Sequence, residues 1–222
     1  MSSKSASVVI LISGSGSNLQ AIIDATQTDN YPVNIAAVIS NRHNIKGLER
    51  AEQANINSVV VDHTQFNGRE DFDQALIKQI DYYQPDLVVL AGFMRILTRD
   101  FVEHYTGRLI NIHPALLPDF PGLNTHERAI ESGVQQHGAS VHFVTAEVDG
   151  GPIVLQADVP VKNDDTAEKL AQRVLQQEHL IYPLAIKWFA EKRLVLKDNK
   201  VLLDDVVLPE TGLNYAQVVE NQ

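Results

Sequence analysis

Asn111 and His113 are two polar residues separated by the apolar Ile112, at the end of the run Arg108–Ile112. On a β-strand the pair projects to one side while Ile112 packs behind. Pro114 disfavours helical geometry at His113 and closes the strand there. An Asn amide donates N–H, and an imidazolium donates from both ring nitrogens. Together they can hold the oxyanion formed when a carbonyl carbon is attacked. One such donor is typically worth ~10²–10³ in rate, and a proton-relaying His ~10²–10⁴. Neither role needs a covalent nucleophile, and the chain has no GxSxG elbow. Asp149 precedes Gly150-Gly151-Pro152, a tight turn that holds up a carboxylate. Near His113 it would favour the imidazolium and accept a proton from an attacking amine through water. The sequence does not show that Asp149 and His113 meet, and taken alone its default reading is an Asp149 that serves the turn.

A second group of candidates is Ser13-Gly14-Ser15-Gly16-Ser17-Asn18. Glycines let the backbone turn sharply and approach a ligand, and the N–H groups opening a following helix attract an anion. Leu19 stands where a dinucleotide fingerprint has its third glycine. No Asp or Glu follows the next strand, which ends in Ser40-Asn41. A phosphate monoester therefore fits better than NAD; the alternative is an ordinary turn in which Ser17 or Asn18 caps the helix. The remaining histidines (His43, His63, His104, His126, His137, His142 and His179) form no HExxH or other dense metal pattern.

These residues need a scaffold. Val8–Ile12, 33–39, 58–61 and 87–90 are apolar strand candidates. They alternate with helical stretches over about 17–25, 47–54 and 69–82. Uninterrupted apolar strands between helices predict an α/β fold: a Rossmann-like, mostly parallel twisted sheet with helices on both faces. The C-terminal half adds antiparallel strands near 139–145 and 153–159, then a helix of some 20 residues from Asp165. A terminal hairpin turns at Asp198-Asn199. Polar residues at a strand's C-terminal end sit where such sheets bind ligands. With no repeat or clear linker, residues 1–222 read as one domain, with about 1–6 and 209–222 as loosely held tails.

Composition narrows the function classes. The 222 residues carry a net charge of −10, which disfavours nucleic acid and anionic membranes as partners. No cysteine is present, so disulfides, thiol chemistry and Cys-ligated metals are excluded. The apolar runs are too short for a secretory signal or a membrane span, so a cytoplasmic protein acting on small molecules is expected.

The blocks ISGSGSNLQAII, LAGFMRIL, RLINIHPALLPDFPGL, HGASVHFV, DGGPI and QEHLIYP, over about 8–183, resemble the glycinamide ribonucleotide transformylase family. N-x-H with the DGGP aspartate is shared across the folate-dependent formyltransferase superfamily. The combination of GSGSNLQ, the folate-type loop and QEH is specific to this branch. The resemblance implies formyl transfer from 10-formyltetrahydrofolate to the amine of glycinamide ribonucleotide, the third step of de novo purine synthesis. It implies no bound cofactor or metal, and a monomer or homodimer.

By the same resemblance, Asn111, His113 and Asp149 form the catalytic set. Gly16, Ser17, Asn18, Leu19 and Gln20 hold the ribonucleotide, chiefly its phosphate, and Glu178 holds its ribose hydroxyls. Met94, Arg95, Ile96 and Leu97 wall the pterin ring; Arg69 and Asn111 also contact folate. Ser140 and His142 lie on a matching strand near the site. Ser15 departs from the usual Asn or Arg without disturbing a backbone cradle. Without the family match, 94–97 read as a hydrophobic turn, Arg69 as a solvated residue and Glu178 as an exposed helix carboxylate. The superfamily also offers a formyltetrahydrofolate hydrolase, or a formyltransferase acting on methionyl-tRNA, each needing a further domain. Outside it stands a phosphate-binding module without chemistry, which has no use for N-x-H plus DGGP.

Overall fold

The computed structural model describes residues 5–28 and 30–220. The fold is α/β. Among the described residues, eight strands lie in a mixed, mostly parallel sheet accompanied by helices, and three further strands form a separate antiparallel sheet. The chain divides into two compact units, Met1–Ile110 and Asn111–Gln222.

In the first unit, β1 (Ala6–Ile12), β2 (Val33–Ser40), β3 (Ser58–Val60) and β4 (Leu87–Leu90) run parallel in the order β4-β1-β2-β3. Val8–Ile12 are fully buried, as a five-residue apolar run in a central parallel strand requires. Helices α1 (Ser17–Thr26), α2 (Lys46–Gln53) and α3 (Arg69–Tyr82) occupy the expected intervals. On α1, Leu19, Ile22 and Ile23 share the buried face; on α3, Phe72, Leu76, Ile77 and Ile80 do. The short α4 (Arg99–His104) has no counterpart in the sequence reading. Its start is fixed by Thr98, whose Oγ1 accepts from the Phe101 N–H at 3.4 Å.

β5 (Leu109–His113) runs from the first unit into the second. The second unit adds α5 (Thr125–Ser132), β6 (Gln136–Phe143), β7 (Ile153–Pro160) and the 24-residue α6 (Ala167–Ala190). β6 and β7 pair antiparallel, with Ser140 opposite Gln156. β8 (Leu194–Lys197) and β9 (Lys200–Leu203) form the predicted hairpin. Asp198 and Asn199 both adopt positive φ, as its two-residue turn demands. The two-residue β10 (Val206–Val207) completes the small sheet.

The expected loose tail from 209 is instead stitched down. β11 (Leu213–Asn214) pairs parallel with Leu155 and Gln156, and the Asn214 side chain donates to Asp158 at 2.7 Å. It leads into α7 (Tyr215–Glu220). Of the expected N-terminal tail, residues 1–4 lie outside the described residues, and Ala6 already opens β1.

Candidate active site

In the second unit, β5 ends on Asn111 and His113, and His113 is 5% exposed. Asp149 comes from the turn between β6 and β7, with φ of 53°, a conformation Asp tolerates better than most residues. Gly151 makes the turn possible: a Cβ there would sit 1.8 Å from the Phe143 carbonyl oxygen. Asp149 Oδ2 lies 3.3 Å from His113 Nδ1 and accepts the Gly122 N–H at 2.8 Å. The other His113 nitrogen, Nε2, donates to the Phe120 carbonyl at 2.9 Å. The segment after Pro114 thus doubles back and presents one acceptor and one donor to this His–Asp pair. His113 and Asp149, 36 positions apart, thus lie side by side, and the sequence gave no sign of the Phe120 carbonyl.

Ser140 and Gln156 anchor that segment. The Ser140 hydroxyl donates to Ala115 O at 2.7 Å and accepts from Leu117 N at 3.0 Å; the Gln156 amide donates to Ser140 at 2.8 Å and to Leu117 O at 2.9 Å. His142 orients Asn111. Its Nδ1–H donates to Phe143 O at 2.9 Å, leaving Nε2 to accept from the Asn111 amide at 3.2 Å. His142 Nε2 also lies 3.7 Å from Asp149 Oδ1.

Burial pulls the His113 imidazole below its ordinary pKa, against the opposing pull of the Phe120 carbonyl and the Asp149 carboxylate. The Asp149 carboxyl is also held low. Burial works against this, but the Gly122 N–H and the neighbouring His142 and His113 rings outweigh it. Both shifts favour the neutral imidazole and the ionised carboxylate. Glu178 lies on α6 and is 7% exposed, so it is not the solvated helix carboxylate its position suggests in isolation.

The first unit holds the other candidates. Gly16 is the N-cap of α1 in the left-handed region (φ 69°), and no side-chain oxygen caps the helix. Ser17 and Asn18 are therefore the first helical residues rather than caps. Leu19 is fully buried and has only its backbone to offer a ligand. The Gln20 side chain is committed within the fold, accepting from Arg50 and donating to Asp24. Ser13, the first residue of the Gly/Ser turn, ties two loops together. Its hydroxyl donates to Asn41 Oδ1 at 2.6 Å and accepts the Met94 N–H at 2.8 Å. Met94 and Ile96 are 63% and 61% exposed, an apolar surface suited to a flat ring. Arg95 stacks over Phe72 at 5.7 Å. The loop's far end is held by the buried Asp73, which accepts the Thr98 N–H at 2.6 Å. Burial raises the Asp73 pKa, while Thr98, Arg95 and Arg69 oppose the shift. Arg69 itself is exposed at the start of α3. Among the described residues, no group of three or more His, Asp or Glu is placed to hold a metal. No helix there is long and apolar enough to cross a membrane.

The formyl transferase family profile matches residues 6–186. The chain belongs to the formyl transferase family. Within that family it is 55% identical to the phosphoribosylglycinamide formyltransferase of Escherichia coli over 205 residues, 92% of this chain and 97% of that protein. It is 46% identical over 196 residues to the human trifunctional purine biosynthetic protein adenosine-3. There the match takes in 88% of this chain but only 19% of the human protein. Among solved structures, a phosphoribosylglycinamide formyltransferase from Coxiella burnetii superposes with a TM-score of 0.91 at 50% identity, covering 95% of this chain and 99% of that one.

Proposed function

We propose that residues 1–222 act as one formyltransferase domain in the cytoplasm, moving the formyl group of 10-formyltetrahydrofolate onto the amine of glycinamide ribonucleotide. The observation that carries this reading is the Asp149 carboxylate 3.3 Å from His113, on the strand end that also displays Asn111. The glycinamide amine attacks the formyl carbon. Asn111 and His113 hold the oxyanion that develops, and Asp149 assists proton transfer. The amine must lose a proton and the folate leaving nitrogen must gain one. A neutral imidazole beside a carboxylate can accept the first, become an imidazolium while the oxyanion exists, and return the proton to the departing nitrogen.

Each substrate is assigned its own residues. The loop from Gly16 to Gln20, through backbone N–H groups and the Ser17 and Asn18 side chains, receives the phosphate, and Glu178 the ribose hydroxyls. Met94, Arg95, Ile96 and Leu97, with Arg69 and Asn111, receive the folate. No bound cofactor or metal is needed; the folate is a co-substrate. Holding both substrates side by side contributes to the rate by removing translational freedom.

The test is 10-formyltetrahydrofolate consumption with and without glycinamide ribonucleotide. Consumption that requires the ribonucleotide, with formyl-glycinamide ribonucleotide as product, is the expected result. Equal consumption in its absence makes the protein a hydrolase and overturns the reading.

A further inference from the structure

The chain has a net charge of −10, yet the ligand proposed for the Gly16–Gln20 loop is a phosphate monoester. The loop therefore needs local help. That help comes from α2, which lies against it. Gly47 N–H donates to the Gly14 carbonyl at 3.1 Å. Arg50, one helical turn further along, donates from Nε to the Ser15 carbonyl at 3.0 Å and from NH1 to Gln20 Oε1 at 2.9 Å. The Gln20 amide then donates to Asp24 at 2.7 Å, so its orientation is fixed at both ends. The contact is close enough that a Cβ on Gly16 would lie 2.6 Å from the Gly47 Cα.

Two consecutive carbonyls, of Gly14 and Ser15, are thus turned toward α2. In a trans peptide the N–H points opposite to the C=O. The N–H groups of Ser15 and Gly16 therefore face away from α2. Successive N–H groups turned to one side make an anion-binding concavity. The guanidinium also keeps a permanent positive charge beside this loop, and its planar fork spans two anchors that a point charge cannot hold together.

We infer that Arg50 is a positioning residue for the phosphate of the substrate: by holding Ser15 and Gln20 it sets the loop that receives the anion. This rests on the loop being the ribonucleotide-phosphate site.

The experiment compares wild type with Arg50→Gln and Arg50→Lys in two readouts. The first is thermal stabilisation by inorganic phosphate, which needs no turnover. The second is steady-state kinetics, varying each substrate separately. Wild type is expected to gain stability with phosphate; if it does not, the reading of the loop fails, whatever Arg50 does. Arg50→Gln is expected to lose most of the phosphate stabilisation. It should raise KM for glycinamide ribonucleotide about tenfold, the scale of one charge-assisted contact, with kcat and the KM for the formyl donor nearly unchanged. Arg50→Lys is expected to recover only a minor part, because it restores charge without the fork. Full recovery by Lys, or a KM for the ribonucleotide within twofold of wild type in folded Arg50→Gln, overturns the inference. Should Arg50→Gln fold poorly, Arg50→Lys decides alone: a raised ribonucleotide KM with unchanged kcat supports the inference, and a KM within twofold of wild type overturns it.

Discussion

On the function proposed above, the two units answer different chemical problems with different parts of the polypeptide. In the first, the groups assigned to the phosphate are backbone N–H groups held by other side chains: Ser13 and Arg50 brace the loop rather than reach for a ligand. In the second, the working groups are side chains, and backbone does the bracing. The Phe120 carbonyl and the Gly122 N–H hold His113 and Asp149 in place. A phosphate asks only for converging positive ends of dipoles, which every residue carries. A proton relay asks for groups of particular pKa, which few residues carry. The contrast therefore predicts where substitution hurts and in which kinetic constant.

The largest effect is expected in the second unit. His113→Ala removes both an oxyanion donor and the proton carrier and should lower kcat about 10³-fold, within the range for such groups. KM values should stay near wild type and the fold should be retained. Asp149→Asn keeps an acceptor for the Gly122 N–H but not the charge, and should lower kcat about 10²-fold. Stopped or steady-state assays on folded variants check both; near-normal turnover by His113→Ala would remove His113 from the mechanism.

In the first unit the damaging substitution is steric. Gly47→Ala places a Cβ 2.5 Å from Ile12 Cδ1 and 3.1 Å from the Gly14 carbonyl. It pushes on the loop without touching any catalytic group. Overpacking of this kind costs about 1–3 kcal/mol. We expect a lowered Tm and a raised KM for the ribonucleotide with kcat largely kept. A change confined to kcat would break the division of labour between the units.

A third effect is a pH dependence of stability that belongs to the second unit. Burial holds His113, His126 and His137 below their ordinary pKa, with His137 lowered from 6.5 to about 4. The unfolded chain takes up these protons first as pH falls through 6.5, so the folded state loses stability progressively down to pH 4. For His137, fully buried and 3.2 Å from His126, the loss is about 1–3 kcal/mol by pH 4. His137→Gln should flatten the Tm–pH profile between these values. An unchanged slope would show that His137 titrates normally.

Much of this was legible in the sequence. Val8–Ile12 read as a buried strand. The run from Arg69 to Tyr82 carried its helical face in Phe72, Leu76, Ile77 and Ile80, and Asp198-Asn199 announced a hairpin. Asn111 and His113 could be placed on one side of a strand by parity alone. What stayed hidden has physical causes. α4 and α5 are short, and the periodicity of six or eight residues is weak. The Phe120 carbonyl belongs to the backbone, which carries no residue signature. Arg50 meets Ser15 across 35 positions, a contact that exists only once β1 and β2 pair. One signal was available: Gly47 and Arg50 are three apart on a helix, so they share a face, and glycine on that face marks a close approach. The tail misled because its composition is polar, while its attachment depends on two residues, Leu213 and Asn214, joining a sheet edge.

The smallest expected effect is the most discriminating. Ser17 opens α1 beside Gly16 and is the loop residue whose side chain looks most like a phosphate ligand. If backbone N–H groups carry the affinity, Ser17→Ala removes one neutral hydroxyl and leaves the N–H in place. A neutral hydrogen bond is worth about 0.5–1.5 kcal/mol net, and here water can replace it, so the lower end applies. The ribonucleotide KM should rise no more than about threefold, with kcat and the folate KM unmoved. Ser17→Pro removes the N–H itself while suiting the first position of a helix, and should raise the same KM by more. Equal losses in the two variants would mean that the hydroxyl, not the backbone, binds the phosphate, and the contrast between the units would fail at its first member.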